Sequence, residues 1–233
     1  MDEKVNMNAD RMPKIGLVLE GGGMRGLFTA GVLDILMDHS FRPDIICATS
    51  AGATFGINLP SGQRGRVLRY NLQLAGDPRY ISFRSLLRTG NVVNTDFAYR
   101  VLPDELDKFD YQAYSESGTD FFACVTNTRS GKPEYLKVSD AKTQIDSIRA
   151  SAALPFLSRK VIIGGEPYLD GGITDIIPLD KCIAEGCDRI VVVLTRPKGF
   201  IMSEDMYLLS KLLYPRDKSL QQAFRHRSER YNE

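Results

Sequence analysis

Ile15-Gly16-Leu17-Val18-Leu19-Glu20-Gly21-Gly22-Gly23-Met24-Arg25-Gly26 is the stretch whose reading decides the fold. Its first five residues are almost wholly apolar, which predicts a strand covered on both faces. The glycines lead into an apolar helical pattern over 26–38, apolar nearly all round and so expected to be buried, with Ala30 and Gly31 allowing close approach to a sheet. Glycine tolerates positive φ and lets backbone come near a ligand, and the first N–H groups of the next helix point at any negative charge placed there. Further apolar runs at 44–48, 119–126 and 188–194 alternate with helical patterns at 51–58, 62–75, 142–152, 178–185, 203–213 and 218–231. That alternation predicts an α/β fold, three layers α/β/α around a mostly parallel sheet.

Gly21, Gly23 and Gly26 also satisfy G-x-G-x-x-G, a weak dinucleotide signal when it stands alone. A dinucleotide site asks for an acid at the end of the second strand. Here Ile45-Ile46-Cys47 runs instead into Ala48-Thr49-Ser50-Ala51-Gly52, and the nearby acid, Asp44, stands at the other end. No Gly-Lys-Ser/Thr follows the glycines, which excludes a P-loop. A serine between small residues at a strand-to-helix turn matches the nucleophile elbow G-x-S-x-G, with Ala48 replacing the first glycine. Loops leaving the carboxyl ends of neighbouring strands share a crevice. The amides of Gly22, Gly23 and Met24, with that of Ala51, would then cradle an oxyanion beside the Ser50 hydroxyl, as acyl transfer requires. Arg25 reads as fixing the loop or neutralising charge near it.

A serine nucleophile needs a proton acceptor. The chain has two histidines. His39 ends the first helical pattern, and His226 lies between Arg225 and Arg227, which oppose an imidazolium. A Ser50–Asp–His226 triad has the right chain order but the wrong surroundings. Asp170, in Tyr168-Leu169-Asp170-Gly171-Gly172, is the better base, because paired glycines let a tight turn present the carboxylate. Asp175 and Asp180 are alternatives without such glycines.

The remaining residues bound the problem. At 233 residues and 43% apolar the chain suits one domain. Cys47, Cys124, Cys182 and Cys187 read as reduced core residues, neither a disulfide framework nor a metal site. Residues 61–100 carry seven arginines against two aspartates, suited to solvated helix faces or, alternatively, to an anionic substrate or lipid surface. The weakly patterned 76–118 is expected to form a wall or cap over the substrate. Residues 129–138 read as a turn returning into a strand. Ile201, Tyr207, Leu208, Leu209, Leu212 and Leu213 make an amphipathic helix expected to pack on the core, with lipid contact as the alternative. Residues 1–13 are polar and unlike a signal peptide. The last helical pattern ends without a C-cap, as a piece of a longer protein would.

Three motifs in order, Gly21-Gly22-Gly23-Met24-Arg25-Gly26, Ala48-Thr49-Ser50-Ala51-Gly52 and Asp170-Gly171-Gly172, resemble the patatin-like phospholipase family, as does Ser-Ala-Ala-Leu-Pro at 151–155. The likeness covers about 14–195, leaving 1–13 as an extension and 196–233 as a helical segment packed on or capping the domain. It implies a Ser50–Asp170 dyad without histidine, an oxyanion loop from Gly21 to Met24 with Arg25 adjoining, and no cofactor and no metal. Gly26, Gly52, Gly171 and Gly172 would support these. It further implies hydrolysis of acyl esters in phospholipids, lysophospholipids or related lipids. The partners expected are that substrate and, in passing, a membrane surface, with no nucleic acid. The location expected is cytoplasmic, with peripheral attachment left open. A non-catalytic lipid- or partner-binding relative, and a nucleotide-binding module, are the competing readings. Two positions depart from the pattern: Ala48, and Ile176 where many members carry Asn.

Overall fold

A computed structural model describes residues 11–203 and 206–233. Positions 1–10 of the expected polar extension lie outside these, as do 204 and 205 of the helix expected over 203–213. The chain runs β1 (Ile15–Leu19), a 3-10 turn (Gly23–Arg25), α1 (Gly26–Asp38), β2 (Ile45–Thr49), α2 (Ala51–Gly56), α3 (Arg66–Gln73) and α4 (Phe83–Thr89). A π-helical stretch (Phe97–Leu106), α5 (Tyr111–Ser115), β3 (Asp120–Asn127), β4 (Lys132–Lys137), α6 (Ile145–Ser151), β5 (Val161–Ile163) and β6 (Glu166–Asp170) follow. A 3-10 turn (Gly171–Ile173), α7 (Leu179–Ala184), β7 (Arg189–Val193), α8 (Tyr207–Leu213), α9 (Lys218–Arg225) and α10 (Arg227–Asn232) complete it.

The seven strands form one mixed sheet with helices on both faces. β3, β2, β1 and β7 are parallel neighbours in that order. β4, β6 and β5 add antiparallel pairs beyond them. Alternation along the parallel strands supplies both faces. Leu17, Leu19, Ile46, Ala48, Phe121 and Ala123 pack toward one core, while Val18, Ile45, Cys47 and Phe122 join Cys182 of α7 on the other.

The placement of β6 is decisive for the site. β4 pairs with β3 over Phe122–Asn127, so it occupies one edge of that strand. β2 pairs over Asp120–Cys124 and β6 over Val125–Asn127, so both must share the opposite edge. β2 and β6 therefore run head to head, Thr49 beside Cys124 and Asp170 beside Val125. The residues that end the two strands meet because one strand measures out both.

Three expectations need correction. α1 is only half covered: Phe28 and Ile35 face solvent and Gly31 meets open space, because the helix packs on α2 and α3 along one side. β7 is an edge strand whose Val191 and Val192 are exposed, so it is not covered on both faces. α8 buries Ser210 and turns Leu208 and Leu212 outward, since its seven residues pack against α9 through the other side. The arginines of 61–100 are largely matched by acids: Arg64 by Asp38, Arg66 and Arg69 by Asp107, Arg79 by Asp77, Arg100 by Asp96. No described helix is long and apolar enough to cross a membrane.

Candidate active site

Ser50 stands between β2 and α2 with φ 56° and ψ −121°. A non-glycine residue at positive φ costs about 1–3 kcal/mol and persists only when its surroundings hold it. They hold it closely here. The Ser50 N–H donates to Ser151 Oγ of α6 at 2.9 Å, and its carbonyl accepts from the amides of Ala53 and Thr54 at 3.0 Å each. α2 starts directly beneath the end of β1, and a Cβ on Gly52 would lie 2.5 Å from the Leu19 carbonyl oxygen. A Cβ on Gly26 would come within 2.8 Å of Ala51 Cβ, so the two supporting glycines let α1, α2 and β1 converge. Ala48 is fully buried between Leu19 and Ala123, and its methyl is accommodated beside the strained turn.

Asp170, the last residue of β6, reaches across the head-to-head junction. Ser50 Oγ donates to its Oδ2 at 2.6 Å, and the Gly172 amide donates to Oδ1 at 2.7 Å. The carboxyl is 4% exposed, and burial pushes its pKa up to about 6, against the pull of the Ser50 and Gly172 hydrogen bonds and the charge of Arg227. Gly171 lies too close to the Cys124 carbonyl for any side chain. Asp175, an alternative base, is occupied elsewhere: its carboxylate accepts from Tyr135 Oη at 2.6 Å. Asp180 opens the N-terminal turn of α7. His39 and His226 are exposed, His226 paired with Glu229 at 3.0 Å, and neither lines the cavity that holds Ser50.

The glycine loop folds over Ser50 from β1. Gly23 has φ +55°, which glycine adopts without strain. Gly21 stands beside Ser50, its absent Cβ 3.2 Å from that of the serine. Its amide, however, donates to the Ile176 carbonyl at 3.0 Å, so Gly21 shapes the loop and is not an oxyanion donor as expected. Gly22, Gly23 and Met24 remain, together with Ala51, whose N–H opens α2 and has no acceptor within the helix. Ile176, the second departure from the motif pattern, lines the cavity beside Gly21.

Ser50, Asp170 and the loop share a cavity of about 320 Å³. Its apolar wall is Leu154, Pro155, Leu157, Ile173 and Ile176, with Met202 and Met206 from the C-terminal segment; Arg25, Arg196 and Arg227 add charge. No lining residue comes from 76–118, the region expected to form a wall or cap over the substrate; Arg196, Met202, Met206 and Arg227 of the tail line the cavity instead. The wall at 154–157 carries its own strain: Phe156 has φ 68°, held by stacking on Tyr214 and Phe224 and by its amide donating to Tyr214 Oη at 2.8 Å.

Several residues of this site left no sequence signal. Glu20 is fully buried, and its carboxylate accepts from the Thr195 amide and, at 2.9 Å, from Tyr231 Oη of α10. Arg227 donates to the Gly172 carbonyl at 2.7 Å. An acid directly before a glycine loop is the one hint that Glu20 offers.

A helix-flanked sheet presenting a serine elbow, a carboxylate at hydrogen-bond distance and a glycine loop defines a class of α/β protein. The patatin-like phospholipase family profile matches residues 17–183, and the chain belongs to that family. It is 35% identical over 192 residues to the uncharacterized protein YjjU of Escherichia coli K12, covering 79% of this chain and 52% of that one. It is 26% identical over 194 residues to lysophospholipase nte1 of Aspergillus fumigatus, covering 77% of this chain and 12% of that one. Among solved structures, VipD from Legionella pneumophila aligns with a TM-score of 0.46 at 19% identity, over 78% of this chain and 49% of that one. The chain thus spans about half the length of YjjU and a small part of the fungal enzyme.

Proposed function

We propose that this chain is a serine acyl hydrolase of lipid or short acyl esters, with Ser50 as nucleophile and Asp170 as base. The single observation that carries the reading is the 2.6 Å hydrogen bond from Ser50 Oγ to a buried Asp170 at a strained elbow, inside a cavity. Asp170 takes the hydroxyl proton as Oγ attacks the ester carbonyl carbon. The carbonyl oxygen becomes an oxyanion facing the amides of Gly22, Gly23, Met24 and Ala51, each worth roughly 3 kcal/mol of barrier where such donors have been removed. Collapse expels the alcohol, which takes the proton from Asp170. A water, deprotonated by the same carboxylate, then attacks the acyl-Ser50 carbonyl, and collapse releases the acid as Ser50 Oγ takes the proton back from Asp170. Apolar walls of Leu154, Leu157, Ile173 and Met206 suit an acyl chain, and the name of the fungal relative, a lysophospholipase, agrees with a lipid ester.

A fluorophosphonate probe should label wild-type protein on Ser50 and leave Ser50→Ala unlabelled. Asp170→Asn should lower turnover of a soluble short-chain ester by about 10²–10⁴-fold, and His226→Ala should leave it within about twofold, since that histidine is exposed. Full turnover in Ser50→Ala, or its loss in His226→Ala, would refute the assignment.

A further inference from the structure

Residues 78–95 contain Arg79, Arg84 and Arg88 and no Asp or Glu. Arg79 pairs with Asp77, whereas Arg84 and Arg88 make no ion pair among the described residues. Both lie on α4, four residues apart and therefore on one face. The neighbouring stripe of the same helix is Phe83 and Leu87, 79% and 87% exposed. α4 turns its small Ser85 inward and its aromatic, leucine and arginines outward. For a core helix that pattern is inverted; for a helix that meets an anionic apolar interface it is what burial and charge both favour.

The segment of chain that follows the helix is tied to the cavity wall. Beyond the C-terminus of α4 the Val92 amide donates to the Leu157 carbonyl at 2.8 Å, and the Arg159 amide donates to Asn91 Oδ1 at 2.9 Å. Leu157 lines the Ser50 cavity and is itself 39% exposed. On the other flank of the same wall, Tyr214 stacks on Phe156 directly after α8, whose Leu208 and Leu212 are 71% and 73% exposed. Two short helices with outward leucines thus bracket the wall of one crevice, and the helix that carries unmatched arginines supplies the charge.

We propose that α4 and α8 are a docking surface for the face of an anionic bilayer, which sets the mouth of the Ser50 cavity against the lipid. The contact gains its purpose from the hydrolase reading above, but its geometry does not depend on it. Phe83, Leu87, Leu208 and Leu212 enter the interfacial region, while Arg84 and Arg88 meet lipid phosphates, an attraction that salt weakens.

The test is sedimentation with vesicles of non-hydrolysable dialkyl ether phosphatidylcholine, with and without about one-third ether phosphatidylglycerol. The ether bonds keep any hydrolysis out of the measurement. Wild-type protein should pellet with the anionic vesicles, less so as salt rises. Phe83→Ser/Leu87→Ser and Leu208→Ser/Leu212→Ser should each weaken partitioning at least about tenfold. Arg84→Gln/Arg88→Gln should abolish the preference for phosphatidylglycerol, and Ile35→Ser, at the far end of α1, should change nothing. Circular dichroism melting checks that each variant is folded. Equal binding by the variants, or none by the wild type, overturns the proposal. So does a wild-type dimer that Phe83→Ser/Leu87→Ser converts to monomer without any vesicle binding, which would assign the face to a second copy. Turnover of a soluble short-chain ester, measured alongside, reports on the hydrolase reading separately, because a catalytically inert protein would still pellet.

Discussion

Asp170 is held between opposing demands. Burial raises its pKa to about 6, while hydrogen bonds from Ser50 and Gly172 and the nearby Arg227 charge favour its anion. In the proposed mechanism the base is the anion, so kcat/KM for a soluble ester should fall on the acid side through a single ionisation near pH 6, and a flat profile from pH 5 to 8 would contradict it. The same shift affects stability. A carboxyl whose folded pKa stands above its ordinary 3.8 favours the fold below about pH 4 and loses that contribution as pH rises through about 6. Asp170→Asn should therefore be more stable than wild type at pH 8, by up to ~3 kcal/mol in urea unfolding, and equal to it near pH 4. That Ser50 and Asp170 would be brought together could be read beforehand, because the small residues and glycines around each are a local signal. Ser151 opens the Ser-Ala-Ala-Leu-Pro segment, but its hold on the Ser50 amide could not be read from it. That part depends on α6 being laid against the elbow, which the segment does not state.

At the level of elements, the convergence of β1, α1 and α2 is set by missing methyls. Gly52→Ala should push α2 off the Leu19 carbonyl, lowering stability by roughly 1–3 kcal/mol and ester turnover by about 10²-fold through displacement of the elbow. Retention of both values would mean that the contact is slack. The strands at 15–19, 44–48 and 119–126 were legible because unbroken apolar runs of that length have few other uses. The direction of β6 was not: period-two patterning says that a segment is a strand, and says nothing about which way it runs. α1 misled for a related reason, since an apolar composition all round reads as burial even where Phe28 and Ile35 point outward. α4 was hidden in a stretch that reads as punctuation, and its charge stood out only once the other arginines had found their acids in space.

Over the whole molecule, the tail is tied to the Ser50 end of the sheet by a few long-range bonds. Tyr231 of α10 donates to Glu20 beneath the glycine loop, and Arg227 donates to Gly172 behind Asp170. Tyr231→Phe should lower stability by about 1–3 kcal/mol, read as a drop in the urea midpoint with an unchanged slope, because a fully buried carboxylate loses a donor. No change would show that Thr195 alone satisfies Glu20. These ties were invisible in sequence, since 211 positions separate Tyr231 from Glu20. The head-to-head meeting of β2 and β6 on one edge of β3 has a consequence for how such a chain can vary. The gap between hydroxyl and carboxylate is ruled by interstrand register, not by the length of the connections. Insertions at the Gly164-Gly165 turn or in the surface loops between α2 and β3 leave that register untouched, so the periphery is free to diversify around a fixed Ser50–Asp170 spacing.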